Sequence, residues 1–145
     1  AAFKFLNWGA LRQIFSGSEV KYVFRQKSGF NHPESDGAFA WIADGVRDHE
    51  QLQYLNDFYD NATAAMDGGK LCIGSVYVGF NNDNPNDPGW SIWDHGTHTK
   101  KSRIIPRRDG VTLLDTCYAV PANVSLVFLN TWNDHEEGSN FEVLP

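Results

Sequence analysis

The stretch from Asp48 to Met66 constrains this fold more than any other part of the chain. At about 100° per residue from Leu52, the side chains of Tyr54, Leu55, Phe58, Tyr59, Ala62, Ala65 and Met66 fall on one half of a helical wheel. Gln53, Asn56, Asp57, Asp60, Asn61 and Thr63 fall on the other half. Such a partition makes an amphipathic helix that needs a core to lie on. Asp44 or Asp48 can cap its start, and Gly68-Gly69 supplies a left-handed stop.

Around this helix the sequence reads as β-structure. Val20 to Gln26 alternates apolar and polar side chains, as a half-buried strand does. Ala38 to Ala43, Leu71 to Phe80, Arg103 to Ile105, Val111 to Ala119, Val124 to Asn130 and Asn140 to Leu144 are further candidate strands. Gly74 suits a bulge, Asp109-Gly110 a hairpin turn, and Pro121-Ala122-Asn123 another turn. Val124 to Leu129 is apolar on both faces, the mark of a central strand. Trp8, Leu11 and Phe15 are spaced for a short helix ended by Ser16-Gly17-Ser18. The sum predicts an α+β fold with a strong β bias: a mainly antiparallel sheet or β-sandwich with one long helix packed on it, as a single domain over 1–145.

Composition sets the outer bounds. With 145 residues, 41% of them hydrophobic, the chain can bury one core, and no apolar run approaches the ~20 residues of a membrane span. Lys100, Lys101, Arg103, Arg107 and Arg108 gather five of the twelve basic residues, leaving seven against eighteen acidic ones elsewhere. So acidic a body excludes general nucleic-acid binding, which depends on neutralising phosphates. The basic strip suits an acidic partner or a solvated strand edge. Cys72 and Cys117 fall in two predicted strands and form one disulfide if those strands are neighbours; two buried free thiols are the alternative. With the Asn61-Ala62-Thr63 and Asn123-Val124-Ser125 glycosylation triplets, this points to a secreted protein from which any signal peptide has been removed.

Two loops carry the chemistry. The first, Asn81 to about Thr99, brings Asp83, Asp87, Trp90, Trp93, Asp94 and His95 together in sequence. Carboxylates and amides suit sugar hydroxyls or a hard cation such as Ca²⁺, and indole rings suit the apolar face of a sugar. Its spacing does not match an EF-hand. The second, Asn130 to Asn140, offers Asn130, Trp132, Asn133, Asp134 and Asn140.

Cys117 to Asn130, followed by Ser139 to Val143, resembles the end of the calcium-dependent, galactose-binding bacterial lectins of the LecA type. The resemblance covers about the last fifth of the chain, and Thr131 stands where that family has an acid. It implies a β-sandwich with Asn130, Asp134, Ser139 and Asn140 near a bound calcium ion and its sugar.

No complete catalytic set accompanies these loops. Asp94-His95-Gly96-Thr97-His98 lacks the Ala-Gly and Gly-Thr-Ser segments of subtilisin-like proteases, and a zinc pair at His95 and His98 lacks a defined third ligand. Three functions remain: a secreted lectin-like glycan binder; a small secreted hydrolase or toxin-like enzyme using loop His and acidic residues; and a structural, capsid-like homo-oligomer joined through residues 1–15. The absence of a convergent catalytic constellation favours the first.

Overall fold

The computed structural model describes residues 6–42, 50–81, 92–94, 99–101, 104–135 and 137–141. Helix α1 (Trp8–Ile14) leads into strands β1 (Val23–Arg25) and β2 (Gly37–Phe39), with a 3₁₀ turn over Lys27–Asn31 between them. Helix α2 (Glu50–Asp67) precedes β3 (Leu71–Val76). Short strands β4 (Phe80–Asn81), β5 (Ile92–Asp94), β6 (Thr99–Lys101) and β7 (Ile104–Ile105) follow, then α3 (Val111–Ala119) and β8 (Leu126–Leu129).

The main sheet has the order β1-β2-β3-β8, and every pairing in it is parallel. Antiparallel ladders occur as two small pairs, β4 with β7 and β5 with β6. Parallel neighbours need a crossover, and α2 supplies one between β2 and β3 while α3 lies on the path from β3 to β8. Each strand lies beside its predecessor in the sheet, the arrangement repeated in (β/α) barrels.

Helix α2 covers one face of the sheet. Leu55, Phe58, Tyr59 and Ala62 are buried against Ala38, Ala40, Ile42 and Cys72, each large side chain contributing about 1.5–3 kcal/mol through burial. Gly74 makes room for this packing rather than a bulge. A Cβ there would stand 3.0 Å from the Tyr59 hydroxyl, which accepts the Ser75 N–H at 3.2 Å. Burial pushes the Tyr59 phenol up to about 12.

At the other end of the strands, α1 is tied down by charge. Asn7 caps it by accepting the Ala10 N–H, and Trp8 packs edge-on against Phe24 at 4.8 Å. Arg12 donates to Asp36 Oδ2 at 2.8 Å, and the same oxygen accepts the Tyr22 N–H at 2.8 Å. Desolvation raises the Asp36 carboxyl, but the Tyr22 and Arg12 bonds outweigh it and hold the group below its ordinary value.

The antiparallel sheet or β-sandwich is therefore corrected to a parallel sheet with helices. Val111 to Ala119 is a helix, not a strand, and Asp109-Gly110 turns the chain into it with Gly110 at φ 92° instead of closing a hairpin. Its buried residues are Thr112 and Thr116, whose hydroxyls donate to the carbonyls of Pro106 and Tyr77. With threonines inside and Val111, Leu114 and Tyr118 outside, the helix hides its period from any hydrophobic count. Cys72 is buried in β3 and Cys117 exposed on α3, both as free thiols, so the disulfide does not form. The LecA-type resemblance falls with the sandwich, since the segment that carried it runs through α3 into a parallel strand.

Candidate functional site at the carboxyl ends of the strands

A parallel sheet places the carboxyl ends of all its strands on one edge, where open α/β sheets and (β/α) barrels bind their ligands. Here that edge carries Arg25 at the end of β1 and Gln26 after it, Trp41 after β2, Ser75 and Tyr77 at the end of β3, and Asn130 to Trp132 after β8. The face away from α2 leads up to it. Phe39 and Phe128 meet edge-to-face at 5.7 Å across that face. The Arg25 guanidinium stands 6.0 Å above the Trp41 ring, a cation–π distance. The Trp41 N–H donates to the Tyr54 hydroxyl of α2 at 3.3 Å, fixing the turn after β2.

The segment after β8 is built as a closed loop. Asn130 continues the ladder by donating its N–H to Val76 O at 2.9 Å, while its Nδ2 donates to Ser75 Oγ at 2.6 Å. The Asn130–Thr131 peptide bond is cis. Thr131 N–H donates to Ser139 O, and the Thr131 and Ser139 hydroxyls stand 3.1 Å apart. Asp134 Oδ1 accepts the Glu137 N–H at 3.0 Å, and Gly138 completes the return at φ 60°. From outside, Arg107 Nη2 donates to Asn140 O at 2.7 Å, and Asn81 N–H donates to Glu137 O. The result is an open depression of about 550 Å³ lined by Thr131, Asn133, Asp134 and His135, with Trp132 exposed beside it in the chain.

The residues expected to act together divide accordingly. Asn133 and Asp134 line the depression and Trp132 is solvent-facing, whereas Asn130 is buried between β3 and β8. Trp93 and Asp94 fall on β5. Asp83, Asp87, Trp90, His95 and His98 lie outside the described residues. Of the four residues assigned to calcium, Asn130 and Ser139 spend side-chain atoms on Ser75 and Thr131, Asp134 bonds Glu137, and the carbonyl of Asn140 bonds Arg107. Among the described residues no group of three or more His, Cys, Asp or Glu is placed to hold a metal ion. No helix among them is long and apolar enough to cross a membrane.

No protein-family model and no curated protein matches the chain. Among solved structures it is similar to the GH99 endo-alpha-mannosidase from Bacteroides thetaiotaomicron, in complex with bis-tris-propane, with a TM-score of 0.58 at 16% identity. Its fold is similar to part of that enzyme's fold. The match takes in 87% of this chain and 38% of that enzyme's chain, so it spans well under half of the enzyme. It supports the parallel α/β architecture and gives none to a lectin sandwich.

Arg25, Trp41, Ser75 and His135 were not singled out from the sequence. Only a parallel arrangement brings the ends of β1, β2, β3 and β8 to one edge; an antiparallel sheet sends alternate ends to opposite edges. The available signal was the short apolar run at Ala38, which forms the inner strand β2; the same reading of Val124 to Leu129 as a central strand is corrected, because β8 lies at the edge of the sheet with Leu126 and Leu129 exposed.

Proposed function

We propose that this chain binds carbohydrate at the carboxyl-terminal edge of its parallel sheet. The observation that carries this reading is the depression lined by Thr131, Asn133, Asp134 and His135 with the exposed indole of Trp132 beside it. Amide, hydroxyl, carboxylate and imidazole groups match the donors and acceptors of sugar hydroxyls, and an open indole face matches the apolar side of a pyranose ring. Mannose-containing glycans are the first ligands to test, because the structural neighbour is named as an endo-alpha-mannosidase.

A glycan array followed by titration calorimetry, each with added Ca²⁺ and again with EDTA, tests the reading. Binding of mannosides that weakens in Trp132→Ala supports it, and the EDTA arm decides whether calcium takes part. Silence across neutral and acidic glycans overturns it. Cleavage is a second reading, favoured by the hydrolase-like fold and the carboxylate of Asp134 in the depression. Release of new reducing ends from a bound glycan, lost in Asp134→Asn, distinguishes cleavage from binding alone.

A further inference from the structure

We propose that a second carbohydrate site, a groove for a neutral oligosaccharide chain, runs along α2 where that helix meets the 3₁₀ turn over Lys27–Asn31. Two depressions lie end to end in this seam. The one nearer the carboxyl edge, of about 230 Å³, is lined by Gln26 and Lys27 on one side and by Tyr54, Asp57 and Phe58 on the other. The next, of about 570 Å³, has Phe30, Asn31 and Lys70 on one side and Asp60, Asn61 and Ala64 on the other, and it reaches Gly68. The Phe30 and Phe58 rings, 5.2 Å apart, join the two floors. From Tyr54 to Gly68 the helix rises about 21 Å, at about 1.5 Å per residue.

The walls of this seam are fixed by hydrogen bonds. Gln26 sits at φ 69°, a region sparsely populated by residues with a Cβ. It is held there by donating its N–H to Phe39 O and accepting the Gly29 N–H, both at 2.9 Å. At the far end, Lys70 Nζ donates to Phe30 O at 2.7 Å and to His32 O at 3.4 Å, pinning the turn to the strand that follows α2. On the helix side, Asn61 Nδ2 donates to Asp57 O at 2.7 Å. Walls held in this way lose little freedom when a ligand enters, which favours binding.

The lining selects the class of ligand. Each half carries one acid and one base, Asp57 with Lys27 and Asp60 with Lys70, so the seam attracts neither a polycation nor a polyanion. Among the described residues, no exposed large apolar side chain falls in 26–31 or 54–68, so the seam lacks the apolar anchors on which docked proteins depend. Amides, carboxylates and ammonium groups remain, around a small apolar floor at Phe30 and Ala64. They match the hydroxyls and C–H faces of sugars, and the length of the seam suits several linked rings. The inference takes its ligand class from the carbohydrate reading above, but it rests on other residues: none of those lining the seam lines the depression after β8.

Nuclear magnetic resonance titration of the labelled chain with mannose, mannotetraose, tetralysine and tetraglutamate tests this. Mannotetraose is expected to move the side-chain amide signals of Asn31 and Asn61, saturating at about one tenth of the mannose concentration. Ala64→Arg, at an exposed helical position, fills the groove and removes those shifts. Asp60→Ala, also exposed, weakens them about threefold through a lost hydrogen bond and decides the matter if Ala64→Arg fails to fold. The groove and the edge site fail separately. Shifts at the Trp132 indole with none at Asn31 and Asn61 overturn the groove and leave the edge site standing. Groove shifts with a silent Trp132 support the groove and remove the edge site. Silence at both overturns both. Equal saturation by mannose and mannotetraose overturns the groove as a chain-binding site. Groove shifts produced by either peptide and by no glycan overturn it in favour of a protein partner.

Discussion

Asn130 Nδ2 donates to the hydroxyl of Ser75 at 2.6 Å, joining the residue after β8 to the inner strand β3 where both side chains are buried. Asn130 also bonds Val76 O through its backbone, so it fixes the point at which the loop carrying Trp132 and Asp134 leaves the sheet. Ser75→Ala strands a buried amide donor and is expected to cost about 1–3 kcal/mol. The double variant Ser75→Ala/Asn130→Ala should be less destabilised than the sum of the single changes, by about 1 kcal/mol, because it removes both partners. Urea unfolding of the three variants measures the coupling, and strict additivity would contradict it.

The Arg12–Asp36 pair makes stability depend on acid. The folded carboxyl of Asp36 lies below its ordinary value, so its contribution is full above the unfolded carboxyl value of about 3.9. It is lost as pH falls through the folded value. Asp36→Asn should lower stability by about 1 kcal/mol at pH 7, discounted for the part-exposed Arg12 partner. The wild type and the variant should converge as pH falls below the folded value of Asp36. Chemical denaturation at pH 7, 5 and 3 checks this; a constant gap would show that the carboxylate charge is not what matters.

Cys72 and Cys117 should react very differently. Burial pushes the Cys72 thiol up to about 11, and its side chain is enclosed beneath α2, whereas Cys117 is exposed on α3. At pH 8 an aromatic disulfide reagent should label one thiol per folded chain quickly and the second only as the chain opens, as thiolate access dictates. Cys117→Ser should remove the fast phase and Cys72→Ser the slow one. Two equal phases would contradict the packing.

Gly37 of β2 lies opposite Leu71 of β3. A Cβ there would fall on the carbonyl oxygen of Leu71 and 2.7 Å from the Leu71 Cβ, so any side chain forces the strands apart. Gly37→Ala should destabilise by about 1–3 kcal/mol or more, as overpacking does. Gly17→Ala, with no atom within 4 Å of its added Cβ but a φ of 89°, separates steric clash from backbone strain. Thermal melts of both show which dominates.

The helix over 48–66 could be read directly because its apolar period is unbroken, and it occurs as Glu50–Asp67. Helix α3 could not, because its buried stripe is Thr112 and Thr116 while Leu114 and Tyr118 face solvent. Strand direction was equally hidden. β1 and β2 show only three paired residues each, too few for alternation to reveal what covers either face. The site suffered from the same blindness. Trp132, Asn133 and Asp134 could be named from their types, since one continuous loop carries them. Arg25 and Trp41 could not be joined to that loop, because their nearness to its edge is a property of parallel order and leaves no mark on local sequence.

Trp132 gives the sharpest test of the carbohydrate reading. Its ring is 68% exposed, so replacing it leaves the core unchanged, and any loss belongs to the ligand. Trp132→Ala should weaken glycan binding about tenfold, the loss of one aromatic face of ~1.5 kcal/mol, while shifting the melting temperature by less than about 2 °C. Trp132→Phe should recover most of the affinity, since a smaller ring still offers an apolar face. Asn133→Ala should act by a smaller factor, about threefold, through one lost hydrogen bond that solvent partly replaces. Calorimetric titration of these three variants against one mannoside checks the order. Equal affinities in all of them would remove the loop after β8 from the binding site.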